Sequence, residues 1–120
     1  MTDIHMDSTV LCALREVMEA GYADLLDTFL ADSQEHLARL HNAQDASELA
    51  RVAHSFKGSS SNMGALRLAL LCGELEDSAR KRPLSGLAEL VGKIDYEFQH
   101  VQRLYKLERQ RCGSPSLISR

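Results

Sequence analysis

The segment His54-Ser55-Phe56-Lys57-Gly58-Ser59-Ser60-Ser61-Asn62-Met63-Gly64-Ala65 holds the residues best suited to chemistry. An unprotonated imidazole with a pKa near neutrality is a competent nucleophile. Lys57 stands three residues beyond His54, a spacing that on a helix places the ammonium one turn away on the same side. From there it can neutralise phosphate oxygens as a point charge. Leu49, Val52, Ala53, Phe56 and Met63 recur as an apolar stripe. At about 100° per residue, His54 points about 140° away from the centre of that stripe, toward solvent. Its neighbours on that face are Ala50, Lys57, Gly58 and Ser61, all small except Lys57. Gly in a helix interior costs about 1 kcal/mol relative to Ala, and serine hydroxyls compete for backbone groups. A helix optimised only for packing would not carry them. A surface that must admit another backbone or a tetrahedral phosphoryl group would.

These side chains need a rigid scaffold, and the rest of the sequence reads as one. Val10, Leu11, Leu14, Val17 and Met18 share one face of a short first helix beginning after Asp7, Ser8 or Thr9, with its break at Gly21. Leu25, Leu26, Phe29, Leu30, Leu37 and Leu40 mark a longer second helix, closed by Asn42 to Asp45. Asp45 and Glu48 resemble a capping box that opens the third helix, which ends near Gly64. A fourth runs from Leu66 to Arg82 before Pro83. The last carries Leu87, Leu90, Val91, Ile94, Phe98, Val101, Leu104 and Tyr105 over roughly five turns, with Lys93, Glu97, Gln102 and Arg103 outside the stripe. No period-two pattern is visible. Four long helices with short connections predict an all-α fold, an antiparallel four-helix bundle with a short additional N-terminal helix. The domain is expected to span residues 1–111, with 112–120 a disordered tail.

In an antiparallel hairpin, His54 reflected through a turn near residue 65 meets a position close to residue 76, which is Glu76. Its carboxylate either accepts a proton from the imidazole and orients the ring, or is a solvated group pairing with Arg80 at i+4. Arg80 lies one turn farther from the imidazole and is a candidate for phosphate charge or partner docking. No G-x-x-x-x-G-K-[ST] loop or G-x-G-x-x-G turn occurs, so any phosphoryl group on His54 must come from another protein.

His54-Ser-Phe-Lys57-Gly58-Ser59-Ser60 followed by Gly64-Ala65 resembles the H-x-L-K-G-[S/A]…G-A signature of histidine-phosphotransfer (HPt) domains, and the likeness extends to chain length and helix order. The resemblance implies a four-helix-bundle phosphocarrier of two-component phosphorelays, not an enzyme with its own ATP site. It implies that His54 is the phosphoacceptor, that Lys57 supports the phosphoryl group and that Gly58 lets a receiver domain approach. It further implies that the family's Gln or Glu acceptor falls at Glu76. Ala50, Ser61 and Gly64 complete the expected docking surface. Phe56 departs from the usual Leu and, lying on the core stripe, should alter packing rather than chemistry. The implied partners are response-regulator receiver domains and hybrid sensor histidine kinases. No cofactor is expected on this chain, since the receiver's carboxylates would hold Mg2+. The alternatives are a non-phosphorylated helical adaptor or anti-activator, and the C-terminal HPt module of a hybrid sensor kinase.

The remaining signals set limits. With 14 Lys plus Arg against 17 Asp plus Glu, the net charge of −3 lacks the global basic excess of a nucleic-acid binder. Cys12, Cys72 and Cys112 are scattered without a C-x-x-C pair, as expected of reduced thiols. His36 and His41 are five apart and cannot grip a metal from one helix face, so no metal site is expected. His5 and His100 look ordinary by spacing. Arg103, Lys106, Arg109 and Arg111 form a basic face near the C-terminus, either solvated or steering an acidic partner. No apolar run approaches the roughly 20 residues that span a bilayer, and Met1 to Asp7 carries no signal segment. A cytoplasmic, monomeric, stand-alone protein is the expectation.

Overall fold

The computed structural model describes residues 4–113. Among the described residues five α-helices follow one another: α1 (Ser8–Met18), α2 (Tyr22–Asn42), α3 (Ala46–Asn62), α4 (Leu66–Ala79) and α5 (Ala88–Gly113). Short 3-10 turns occupy Glu19–Gly21 and Leu84–Gly86. The pairs α2–α3, α3–α4, α4–α5 and α5–α2 pack in a ring, α3 against α4 most extensively, so the four long helices form the expected antiparallel bundle.

Each helix starts for a local reason. The Asp7 carboxylate accepts from the Thr9 amide at 3.0 Å and opens α1. The Asp45 carboxylate accepts from the Glu48 amide at 2.8 Å and opens α3, while Glu48 reaches back to the Gln44 amide. Helix α4 follows Ala65, which offers no side-chain cap. Its free Arg67 amide donates instead to the Ile4 carbonyl at 2.8 Å, and the Asp7 amide donates to the Gly64 carbonyl at 2.8 Å. The segment before α1 therefore closes the α3–α4 turn.

Leu26, Leu49, Ala53, Phe56, Leu68, Leu75, Ile94 and Val101 are almost wholly buried and form the centre of the core. Two buried tyrosines tie the helices together at their polar ends. Tyr105 on α5 donates to the Met63 carbonyl at 2.6 Å, and Tyr22 on α2 donates to Glu108 on α5 at 2.8 Å.

Several sequence expectations need correction. Val17 and Met18, assigned to the buried face of α1, are exposed, Val17 by 78%, because α1 packs only its first half inward. The break after α1 falls at Glu19, with a positive φ of 49°, rather than at Gly21, where φ is −81°. Helix α4 ends at Ala79, three residues short of Arg82, where the Arg80 and Lys81 amides tighten the last turn onto the Asp77 and Ser78 carbonyls. Glu97, placed outside the α5 stripe, is only 2% exposed. His5 hydrogen-bonds its carboxylate and Arg67 lies 3.6 Å from the other oxygen, so the leader brings its own partner to that position. Helix α5 continues through Gly113, past the expected boundary at residue 111. Residues 114–120 of the expected tail lie outside the described residues.

Gly64, expected on the docking surface, is buried at φ +78°, and a Cβ there would sit 3.2 Å from the Asp7 carbonyl oxygen and the Val10 Cβ. It is a turn residue under α1 rather than a contact for a partner. Gly64→Ala should cost about 1–3 kcal/mol, the range for a non-glycine residue held in the left-handed region, before any displacement of Asp7 is counted. A urea titration reads this directly, and an unchanged midpoint would contradict it.

Candidate functional site

His54 sits on the outward face of α3 with its side chain 67% exposed, as the stripe geometry requires. Its Nδ1 lies 3.0 Å from Oε2 of Glu76 on α4, the position reached by reflection through the hairpin. Glu76 is not a solvated carboxylate. Its side chain is only 6% exposed, and three cationic or donor groups converge on it. Lys57 Nζ is 3.0 Å from Oε1, and Arg80 Nη2 donates to Oε2 at 2.8 Å, so the i+4 pair and the imidazole contact coexist. The structure thus joins His54, Lys57, Glu76 and Arg80 through a single carboxylate. Arg80 hydrogen-bonds that carboxylate, on the same oxygen as the ring.

The Lys57 ammonium, hydrogen-bonded to Oε1, is the largest cause holding the Glu76 carboxyl below its ordinary value of 4.5. The His54 hydrogen bond acts in the same direction, and burial opposes both. Glu76 is therefore ionised at neutral pH and can only accept. The Nδ1 atom must carry the proton, which leaves the lone pair of a neutral ring on Nε2, the atom away from Glu76. A carboxyl held low in the folded state contributes stability above its unfolded value and loses it as pH falls through the lowered pKa. Below pH 4.5 the wild-type melting temperature should accordingly fall more steeply than that of Glu76→Gln. Parallel slopes across that range would contradict the linkage.

Lys57 reaches Glu76 by passing over a residue that the sequence analysis does not single out. Gly73 lies under its stem, and a Cβ there would be 3.3 Å from Lys57 Cδ. The signal is available, since residue 73 faces residue 57 in the same reflection that finds Glu76. Neighbouring Cys72 is buried, which pushes its thiol up to about 12 and removes it as a competing nucleophile near neutrality.

On the other side of His54 the surface is open. Gly58 is exposed, with nothing within 4 Å of a Cβ placed on it, and Ser61 is exposed one turn farther on. Ala50 is partly buried beside the groove between α3 and α4. Phe56 is fully buried and stacks on His36, ring centroids 5.0 Å apart, so the departure from Leu is absorbed between α2 and α3. Burial lowers the His36 pKa. No helix among the described residues is long and apolar enough to cross a membrane.

Comparison with known proteins fits this geometry. The fold matches the crystal structure of histidine-containing phosphotransfer protein B (HptB) from Pseudomonas aeruginosa PAO1, with a TM-score of 0.84 and 50% identity, over 89% of this chain and 96% of that one. Histidine-containing phosphotransfer protein 2 of Arabidopsis thaliana is 24% identical over 119 residues, 88% of this chain and 76% of that protein. The HPT domain of an Hpt sensor hybrid histidine kinase from Shewanella shares the fold, with a TM-score of 0.73 at 19% identity, over 98% of this chain and all of the other. Residues 24–104 match the Hpt domain family. That stretch takes in α3, α4 and every residue of the His54 cluster, so the chain belongs to the Hpt domain family, phosphocarriers with a histidine phosphotransfer role in phosphorelays.

Proposed function

We propose that this chain accepts a phosphoryl group on Nε2 of His54 from the aspartyl phosphate of one receiver domain and passes it to the aspartate of another. The observation that carries the reading is the bond between His54 Nδ1 and the buried, ionised Glu76, which leaves Nε2 as the nucleophile on an otherwise cleared face.

The Nε2 lone pair attacks phosphorus, the bond from phosphorus to the acyl oxygen breaks, and the donor aspartate leaves as a carboxylate. The ring then carries a positive charge shared with Nδ1–H, which Glu76 stabilises through the same hydrogen bond. Lys57, tethered at Oε1, is close enough to turn toward the incoming phosphate oxygens. In the second half, a carboxylate oxygen of the next receiver attacks phosphorus and the P–N electron pair returns to Nε2. The protein contributes position and charge, which suffices for transfer between two high-energy phosphoryl groups. Mg2+ is held by the receiver's carboxylates rather than by this chain. The carrier works in the cytoplasm as a monomer; the most exposed large apolar side chains among the described residues, Val17, Leu70 and Tyr96, lie on three different helices.

The test mixes the purified chain with a receiver domain bearing radiolabelled aspartyl phosphate. Acid-labile, alkali-stable label should appear on the chain and chase onto a second, unlabelled receiver. A folded chain that stays unlabelled across a panel of receivers, yet binds them, would favour the adaptor reading instead.

A further inference from the structure

A groove of about 770 Å³ runs between α3 and α4 from His54 toward the N-terminal end of α3, on the side away from Lys57 and Gly58. Ser47, Ala50 and Ala79 line it with small side chains, and Arg51 and Arg80 stand along it. The two guanidinium groups are not equivalent. Arg80 is committed to Glu76 at 2.8 Å. Arg51 is exposed and makes no hydrogen bond or ion pair among the described residues. It lies one turn before His54 on α3, as Lys57 lies one turn after it, so cations flank the imidazole on both sides. The Glu76 carboxylate is already paired to Lys57 and Arg80, so it is not the counter-charge of Arg51.

Arg51 stands about 4.5 Å along the helix axis from His54, in the direction opposite to Lys57. Arg51 lines the groove, whereas Lys57 and the cleared position at Gly58 lie outside it. We infer that this groove is a specificity subsite for an acidic side chain of the docked receiver domain, with Arg51 as its anchoring charge. The inference rests on the carrier reading for the identity of the partner. A guanidinium takes a carboxylate in a two-point geometry that a lysine cannot copy. The small residues leave room for the side chain to enter, and the groove is continuous with the surface that must meet the receiver at His54. Arg51 is a positioning residue here, acting on docking and not on the reacting atoms.

The experiment uses the full chain with a panel of isolated receiver domains, each charged on its aspartate with radiolabelled acetyl phosphate. Dissociation constants and transfer kinetics are measured for wild type, Arg51→Glu, Arg51→Lys and Lys106→Glu. The last makes the same charge change as Arg51→Glu on the far basic face of α5. Arg51→Glu should weaken binding about tenfold and flatten its salt dependence, the signature of a lost interface charge. The loss should lie in KM, with the saturated rate falling less than twofold. Arg51→Lys should recover part of the affinity, and Lys106→Glu should stay within twofold of wild type. Equal shifts for Arg51→Glu and Lys106→Glu would overturn the subsite in favour of the general field of the protein. So would unchanged affinity in Arg51→Glu, or no binding of wild type to any receiver. Binding that depends on Arg51 without any label reaching the wild type would sink the carrier reading while leaving the groove intact.

Discussion

Gly58→Arg should fold as well as wild type and lose phosphotransfer by about a hundredfold or more, the scale of loss when reacting groups are held even an ångström apart. Position 58 is exposed and helical, and a Cβ placed there has no neighbour within 4 Å, so a side chain meets nothing within the chain. Replacing Gly by Arg should even favour the helix, by about 0.8 kcal/mol. The Arg side chain would nevertheless project from the face one turn beyond His54, where a receiver's backbone must approach to bring its phosphoaspartate to Nε2. Circular dichroism and a thermal melt establish the fold, and the rate of label transfer reads the block. Gly58→Ala separates the two effects, since it should raise stability while leaving most transfer intact. Full transfer by a folded Gly58→Arg would show that the receiver docks elsewhere.

Glu76→Ala should reduce the transfer rate by about ten- to a hundredfold, as for other partners that orient a reactive or ligating histidine. Three groups lose their common acceptor in that variant: His54 Nδ1, Lys57 Nζ and Arg80 Nη2. The imidazole is then free to rotate and to protonate either nitrogen, and the ammonium has no fixed starting position. Glu76→Gln should retain activity, because its carbonyl oxygen can still accept from Nδ1. Its amide nitrogen cannot hold Lys57, so a moderate drop is expected there and not a collapse. Equal losses in the two variants would mean that the negative charge, rather than the orientation of the ring, is what His54 requires. Equal retention would remove Glu76 from the mechanism.

The bundle is legible in the sequence because the second, third and last helices each declare an apolar stripe, the Leu-rich fourth runs up to Pro83, and local starts or stops mark the rest. Asp45, Pro83 and the apolar stripe of α5 need no tertiary information. Glu76 is found by counting back through the hairpin, because a short turn fixes which residues of two antiparallel helices meet. The Arg80 pair is legible as an i+4 spacing, but the burial of Glu76 and its grip on Lys57 are not, since a carboxylate's environment depends on where long side chains fold back. Glu97 misleads for the same reason: His5 lies 92 residues away, and nothing local announces that the leader caps α4 and returns to α5. Gly64 is ambiguous because a glycine near a functional motif can serve the backbone or the partner. Only the φ of +78° and the proximity of Asp7 decide for the backbone. Arg51 carries a usable signal, three residues before His54, but a single surface arginine becomes informative only once its neighbours are seen to be already paired.

In the proposed mechanism Glu76, by accepting from Nδ1 of His54, leaves Nε2 as the phosphoacceptor. Nitrogen-15 labelling of histidine, followed by phosphorus–nitrogen NMR of the phosphorylated chain, locates the phosphoryl group directly. The expected result is one P–N bond, on Nε2 of His54, with Nδ1 protonated, and no such signal from His54→Ala. Phosphorus on Nδ1, or a phosphohistidine that persists in His54→Ala, would contradict it.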